Sequence, residues 1–299
     1  MLKVHLGCDF MLKLVSRKYS SFFGLVAIFF AIAPGASAQA LRTEAKSQVL
    51  KVPRTPDGLD QCTESMILTG ELPGNVGETL RYRIELEGVS VGTIDFLVAQ
   101  KGVFEGRSTV DYRSHFKIDS FVASLLPVEG RAAALVARGQ DKPIQAMTQY
   151  RMQKDAYEER LVFALNTTSF DAIRRKNQQE KRVKAAFSLP VRDFVTAFYM
   201  LRRLPKEERT CVLIYGNLRT YTIQFRYTGQ EEVQTPVGLR MADRYDVLYG
   251  TNRGKRLTNA VVWVGIGENR LPYRVEVNGK HKLKADIHLF QPGVVDNPL

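Results

Sequence analysis

The sequence predicts a mainly β protein: one large antiparallel sheet forming a barrel or half-barrel, with a single amphipathic helix packed against it. Three observations carry this. Several segments alternate apolar and charged residues with period two, the pattern of half-buried strands. Gly, Pro and Asn-Gly turns separate them. One stretch breaks the pattern: residues 193–203, DFVTAFYMLRR, place Phe194, Val195, Phe198 and Leu201 on one helical stripe, with Val191 one turn earlier. Such a stripe needs an apolar surface to cover, and the inner face of a curved sheet supplies one.

Taken in order, residues 1–38 carry basic residues (Lys13, Arg17, Lys18), an apolar run over 22–33, a Pro34-Gly35 break and Ala36-Ser37-Ala38. This is the organisation of a cleavable secretory signal peptide, with cleavage expected after Ala38 and the periplasm as destination. The apolar run of 12 residues is too short to span about 30 Å of hydrocarbon. Cys8 precedes that run, so it is not placed for lipid attachment. Met11 opens a complete leader of its own, which leaves the start at Met1 or Met11 open. Residues 39–76, broken by Pro53, Pro56-Asp57-Gly58 and Pro73-Gly74, read as an irregular arm. Residues 77–292 read as a single β-rich domain and 293–299 as a tail.

The strands can be justified one by one. At the start of the domain Leu80, Tyr82, Ile84 and Leu86 alternate with Arg81, Arg83, Glu85 and Glu87, and residues 93–99 return after Gly88 and Gly92. Over 108–120, Val110, Tyr112, Ser114, Phe116 and Ile118 alternate with Asp111, Arg113, His115, Lys117 and Asp119. His115, flanked on its own face by two cations, reads as an exposed strand histidine rather than a catalytic base. Residues 125–136 are apolar but interrupted by Pro127 and Gly130, compatible with a strand or a short helix. Residues 148–153 and 159–165 read as strands, and Asn166-Thr167-Thr168 as a turn. Asp193 is placed to cap the helix, Arg202-Arg203 suit its C-terminal end, and Leu204-Pro205 stops it. Strands follow at 211–215, 219–228, 231–234, 239–248 and 260–265, with Gly216-Asn217 and Gly229-Gln230 as turns. The last hairpin returns through 272–277 and, after Asn278-Gly279, closes with 281–290. His281 and His288, seven apart, face opposite sides of a strand and cannot share a metal.

The formal net charge is +12 for the chain and about +9 without residues 1–38. In an exported protein such an excess points to lipid head groups, phosphorylated lipopolysaccharide or acidic glycans as partners, or to solubility alone; nucleic acid is a poor fit. Arg174, Arg175, Lys176, Lys181, Arg182 and Lys184 concentrate in RRKNQQEKRVK with one Glu and no aromatic residue. That reads as a flexible cationic loop, meeting an anionic membrane or envelope polymer or simply solvated, and not as a stacking surface for nucleic acid. Cys62 and Cys211 are the cysteines outside the leader. An oxidising compartment allows them to pair, and two buried thiols are the alternative. Oligomeric state cannot be read.

The sequence contains no G-x-S-x-G elbow, Gly-rich phosphate loop or H-E-x-x-H. Neither an enzyme nor a cofactor is expected. The leading expectation is a binding or carrier protein in which Tyr82, Ile84, Phe116, Phe198, Tyr199 and Trp263 line a cavity for an apolar or amphipathic ligand such as a lipid or glycolipid. The same residues also suit a packed core. The rival is a solid structural or interaction protein that holds an envelope polymer or a protein partner through basic surfaces.

Four landmarks occur in order: Tyr82 and Ile84 with Val91-Gly92-Thr93; Asp193 with Thr196, Ala197, Tyr199, Leu201 and Arg202; Thr235-Pro236 with Gly238; and Trp263, Arg270, Pro272 and Arg274. This succession, over roughly 77–290, resembles the bacterial exported-protein family catalogued as domain of unknown function 3108. The resemblance implies an antiparallel β-rich envelope protein and no established activity. Gly267-Glu268-Asn269 stands where the family pattern suggests an Asp-containing turn, a surface change.

Overall fold

Alternation of apolar and charged residues sets one face of each strand against its neighbours, and the result is a single long sheet. The computed structural model describes residues 62, 65–66, 70–119, 128–152, 154–177, 179–216, 219–236, 238–251, 258–279 and 281–294. The expected signal peptide and its cleavage site, most of the arm, and the end of the tail lie outside these residues. The sheet is centred on β1 (Thr79–Leu86). On one side it continues through β2 (Val89–Phe104), β3 (Arg107–Ile118), β4 (Val128–Ala137), β5 (Pro143–Met152), β6 (Asp155–Phe163), β7 (Ser169–Lys176) and β8 (Gln179–Ala186). On the other it runs through β15 (Lys282–Gln291), β14 (Pro272–Asn278), β13 (Thr258–Gly265), β12 (Gly238–Thr251), β11 (Arg219–Thr235), β10 (Thr210–Gly216) and the short β9 (Val191–Arg192). Neighbours are antiparallel apart from β9 and β10, which run parallel.

One open choice closes and two expectations change. The apolar stretch 125–136 is a strand from Val128 onward. The basic stretch is no loop: residues 174–184 form most of a hairpin in which β7 and β8 pair in unbroken register from Ser169↔Ala186 to Lys176↔Gln179. Ala172, Val183 and Ala185 give it a buried face that three small or β-branched residues hide among charges. Residues 219–235 form one strand, because Gly229, at φ +129°, sits at a register shift and not in a turn.

The helix α1 (Phe194–Met200) starts as expected, with the Asp193 carboxylate accepting from the backbone N–H groups of Val195 (2.9 Å) and Thr196 (3.0 Å). A 3-10 turn, Leu201–Arg203, prolongs it. It is not amphipathic, however. Every residue from Val195 to Met200 is buried, because the helix lies between two layers of the same sheet.

Register and ring contacts define those layers. Tyr112, Ala134, Ala146, Leu161, Ala172 and Val183 stand side by side on one face of β3–β8. At one end of this row Tyr112 packs on Tyr199 of α1, with ring centroids 4.5 Å apart. At the other, Leu161, Ala172 and Val183 share an apolar cluster with Leu213 and Tyr215 of β10, and Phe170 lies 4.3 Å from the Tyr215 ring. The opposite face of β10 looks at the helix: Tyr221, in register with Ile214, is 5.3 Å from the Phe194 ring, and a Cβ on Gly216 would strike that ring. β10 therefore lies between α1 and β5–β8, and it is buried at every residue. The sheet rolls up and overlaps itself, with no hydrogen-bonded ladder joining its two ends among the described residues. Cys62 and Cys211 form a disulfide, Cα atoms 6.0 Å apart, on the Leu213 and Tyr215 face of β10, and the Met66 N–H donates to the Cys211 carbonyl at 2.6 Å.

Candidate functional site

The six proposed lining residues are all buried, and three of them meet on the helix. Phe198 stacks on Phe96 at 3.5 Å and meets the edge of Tyr82 at 5.6 Å; Tyr199 packs on Tyr112. The Tyr82 hydroxyl donates to the Pro272 carbonyl at 2.7 Å, and that of Tyr112 to the Leu72 carbonyl at 3.1 Å. Burial pushes the phenols of Tyr82, Tyr112 and Tyr199 up, keeping them neutral. Ile84 and Phe116 share the inner face with these rings, Phe116 in the row that crosses β1–β3 through Tyr82 and Ile94. Trp263 does not join them. It alternates with the buried Val262 and Val264, and so belongs to the other face, in a small cluster with Val233 and Ala242. There its indole N–H donates to Glu231 and the Arg274 guanidinium lies over its ring at 5.8 Å.

Sequence reading missed the charges buried around the helix. Immediately before it, Arg192, fully buried, donates to Asp141 at 2.7 Å and to the Thr167 hydroxyl at 3.0 Å. Just after it, Arg202 donates to Glu78 at 2.6 Å and to the Asn269 carbonyl at 2.7 Å. Both ends of α1 are thus pinned to turns of the sheet by charge-assisted hydrogen bonds. A third buried carboxylate, Asp243, pairs with Lys206 at 2.9 Å and Arg270 at 3.2 Å. Arg202 and Arg270 belong to the family pattern, and that was the available signal; nothing local marks Arg192, whose partners are 25 and 51 residues away. The Asp193 carboxyl is itself pushed up by burial, against the opposing pull of hydrogen bonds from Thr196 and Val195.

The six cations of the basic stretch fall on two faces. Arg174 and Lys176 share the face of Phe170 and Ala172, and Lys181 stands opposite Arg174. Arg175, Arg182 and Lys184 occupy the outer face. Carboxylates offset most of this charge. Arg175 and Arg182 both donate to Glu180, at 3.0 and 2.8 Å, holding its carboxyl below the usual range. Lys176 pairs with Asp155 at 3.0 Å and Lys184 lies 3.9 Å from Asp171. Arg174 donates to the Tyr150 hydroxyl at 3.0 Å and covers the Tyr157 ring at 5.3 Å. Exposed His115 sits 3.2 Å from Glu129, and His281 3.3 Å from Glu87. Among the described residues no group of three or more His, Cys, Asp or Glu side chains gathers to hold a metal ion.

Against known proteins, a family model described as a protein of unknown function (DUF3108) matches residues 81–284. A β-barrel-like protein of another domain of unknown function, DUF1849, from Brucella abortus, shares the fold: TM-score 0.51 at 8% identity, over 74% of this chain and 99% of that one. A Bacteroides fragilis protein with a YmcC-like fold aligns over 75% of this chain and 100% of its own at 9% identity, with a TM-score of 0.35. No curated protein is significantly similar to the sequence.

Proposed function

The chain belongs to the DUF3108 family of proteins of unknown function, and on that premise we propose that it is a non-catalytic interaction protein of the cell envelope, acting through the outer surface of its rolled sheet. Export to the periplasm rests on the leader and small-residue cleavage site in residues 1–38. One observation supports the rest: the Phe96, Phe198 and Tyr82 rings pack against one another at a helix held at both ends by buried ion pairs. Aromatic contacts of this kind are core packing. The residues of the family pattern serve the same end, since Asp193 caps the helix, Arg202 pins it and Tyr82 ties β1 to the start of β14.

The carrier reading keeps one observation in its favour. The overlap of β5–β8 on β10 is mainly side-chain packing with no ladder across it among the described residues, so an apolar or amphipathic ligand, a lipid or glycolipid, could enter there without breaking a ladder. Native mass spectrometry of the mature protein, purified from periplasm without detergent and followed by organic extraction, separates the two. A bare mass that takes up no added lipid is expected. A stoichiometric lipid adduct would overturn the surface-acting reading and identify the ligand class.

A further inference from the structure

We propose that the edge of β8 is a strand-addition site for an extended acidic segment of a partner protein, a proposal that rests on the surface-acting reading above. The sheet has two ends. One is β9, of two residues, packed beside β10. The other is β8, eight residues without Gly or Pro, in register with β7 throughout and free of bulges. Among the described residues β7 is its ladder neighbour and no strand follows. Residues Gln179–Ala186 run about 26 Å at about 3.3 Å per residue. Val183 and Ala185 turn into the apolar overlap, while Gln179, Glu180, Lys181 and Arg182 are exposed in succession. A regular edge of this kind presents a row of backbone N–H and C=O groups to an incoming strand.

Charge selects the occupant. β8 itself carries three cations against one carboxylate, Glu180, which Arg175 of β7 also engages: Lys181 is on the inner face, and Arg182 and Lys184, the latter 3.9 Å from Asp171, are on the outer with side chains 63% and 64% exposed. Side chains directly opposite in an antiparallel pair come within about 5 Å, where opposite charges attract and like charges repel. Asp or Glu at alternate positions of an incoming strand, on the face of Arg182 and Lys184, would therefore be favoured. A second copy of β8 is disfavoured for the same reason, since it would bring cation against cation. A free polyanion could meet the charges but not the backbone row.

The test uses a fluorescein-labelled peptide of alternating Thr and Glu, eight residues long, titrated with the mature protein and read by fluorescence anisotropy. Saturable binding is expected, with at least a tenfold loss when alternate amides of the peptide are N-methylated, which keeps its charge but blocks pairing. The triple variant K181E/R182E/K184E should lose the Thr-Glu peptide and gain the Thr-Lys counterpart. Gain of the counterpart also shows that the variant is folded. No binding, equal binding of the N-methylated peptide, or binding untouched by the triple variant would each overturn strand addition. The mass-spectrometric result is independent, so a bare protein that ignores the peptide refutes this site without refuting the surface-acting reading.

Discussion

Single side chains divide here by what holds them. Arg202 sits nearly inaccessible against an equally buried Glu78, and removing one partner of such a pair strands the other without water. Arg202→Ala should cost about 3–5 kcal/mol, measured by urea unfolding, while replacing both residues with apolar ones of similar volume should recover much of that loss. A cost within error for the single variant would mean that water reaches Glu78. Phe198→Ala should lose about 3–5 kcal/mol as well, because its ring stacks on Phe96; a stable variant with altered lipid uptake would favour a lumen instead. Asp193 tests the burial argument through pH. Its folded pKa is raised, chiefly by desolvation, so folding favours the neutral acid. That contribution is whole below the unfolded value of about 3.9 and fades as pH climbs through the folded value. Asp193→Asn keeps an acceptor for the helix N–H groups and does not titrate. Relative to it, the wild type should lose stability as pH rises above about 3.9; a flat difference would show that the capping hydrogen bonds cancel the burial. Of these features, the cap and the aromatic positions were legible. Trp263 was misplaced because Val262, Trp263 and Val264 are all apolar, and an uninterrupted apolar run conceals which face each residue takes.

At the level of elements, legibility followed contrast between the two faces of a strand. β1 and β3 set mostly apolar inner residues against charged outer ones, and both are readable. The β7–β8 hairpin has small inner residues and cations on both faces, so its period-two signal vanishes into what looks like a loop. β11 carries a glycine at a register shift, a position where bulge and turn share the same residue preference. The stripe of α1 was visible, but Thr196 and Ala197, small enough to let a second layer approach, gave no sign that the far side was buried too. The disulfide is the element-level staple, joining the arm to β10 across 149 residues. Replacing Cys62 and Cys211 together with Ser should lower stability by about 2–5 kcal/mol and speed proteolysis of the arm while the sheet survives. Thermal unfolding with and without reductant gives the first quantity, and limited proteolysis the second. An unchanged melting temperature would mean that the arm is held by its other contacts.

For the whole molecule, the extent and antiparallel character of the sheet followed from its many alternating segments, whereas its closure did not: the two ends, β8 and β9, are consecutive in the chain yet pair with different neighbours, β7 and β10, and no local pattern marks that change of partner. One clue was present. Cys211-Val212-Leu213-Ile214-Tyr215 is apolar throughout, the mark of a strand covered on both sides, and β10 is the strand enclosed between α1 and β5–β8. Because this seam rests mainly on side-chain packing and no ladder joins β8 to β9, β5–β8, at the free end of the sheet, should open as a unit at lower free energy than the central β1, β14 and β15. Phe170→Ala removes the ring that touches Tyr215, Phe163 and Phe187. A core truncation of about 3 kcal/mol corresponds to roughly 100-fold in an opening equilibrium. Native-state hydrogen exchange should then show amides of β5–β8 accelerating by about that factor, with β1, β14 and β15 changing far less. Equal acceleration in every strand would mean that the roll opens only by unfolding altogether, and it would close the one route by which a lipid could enter without dismantling the sheet.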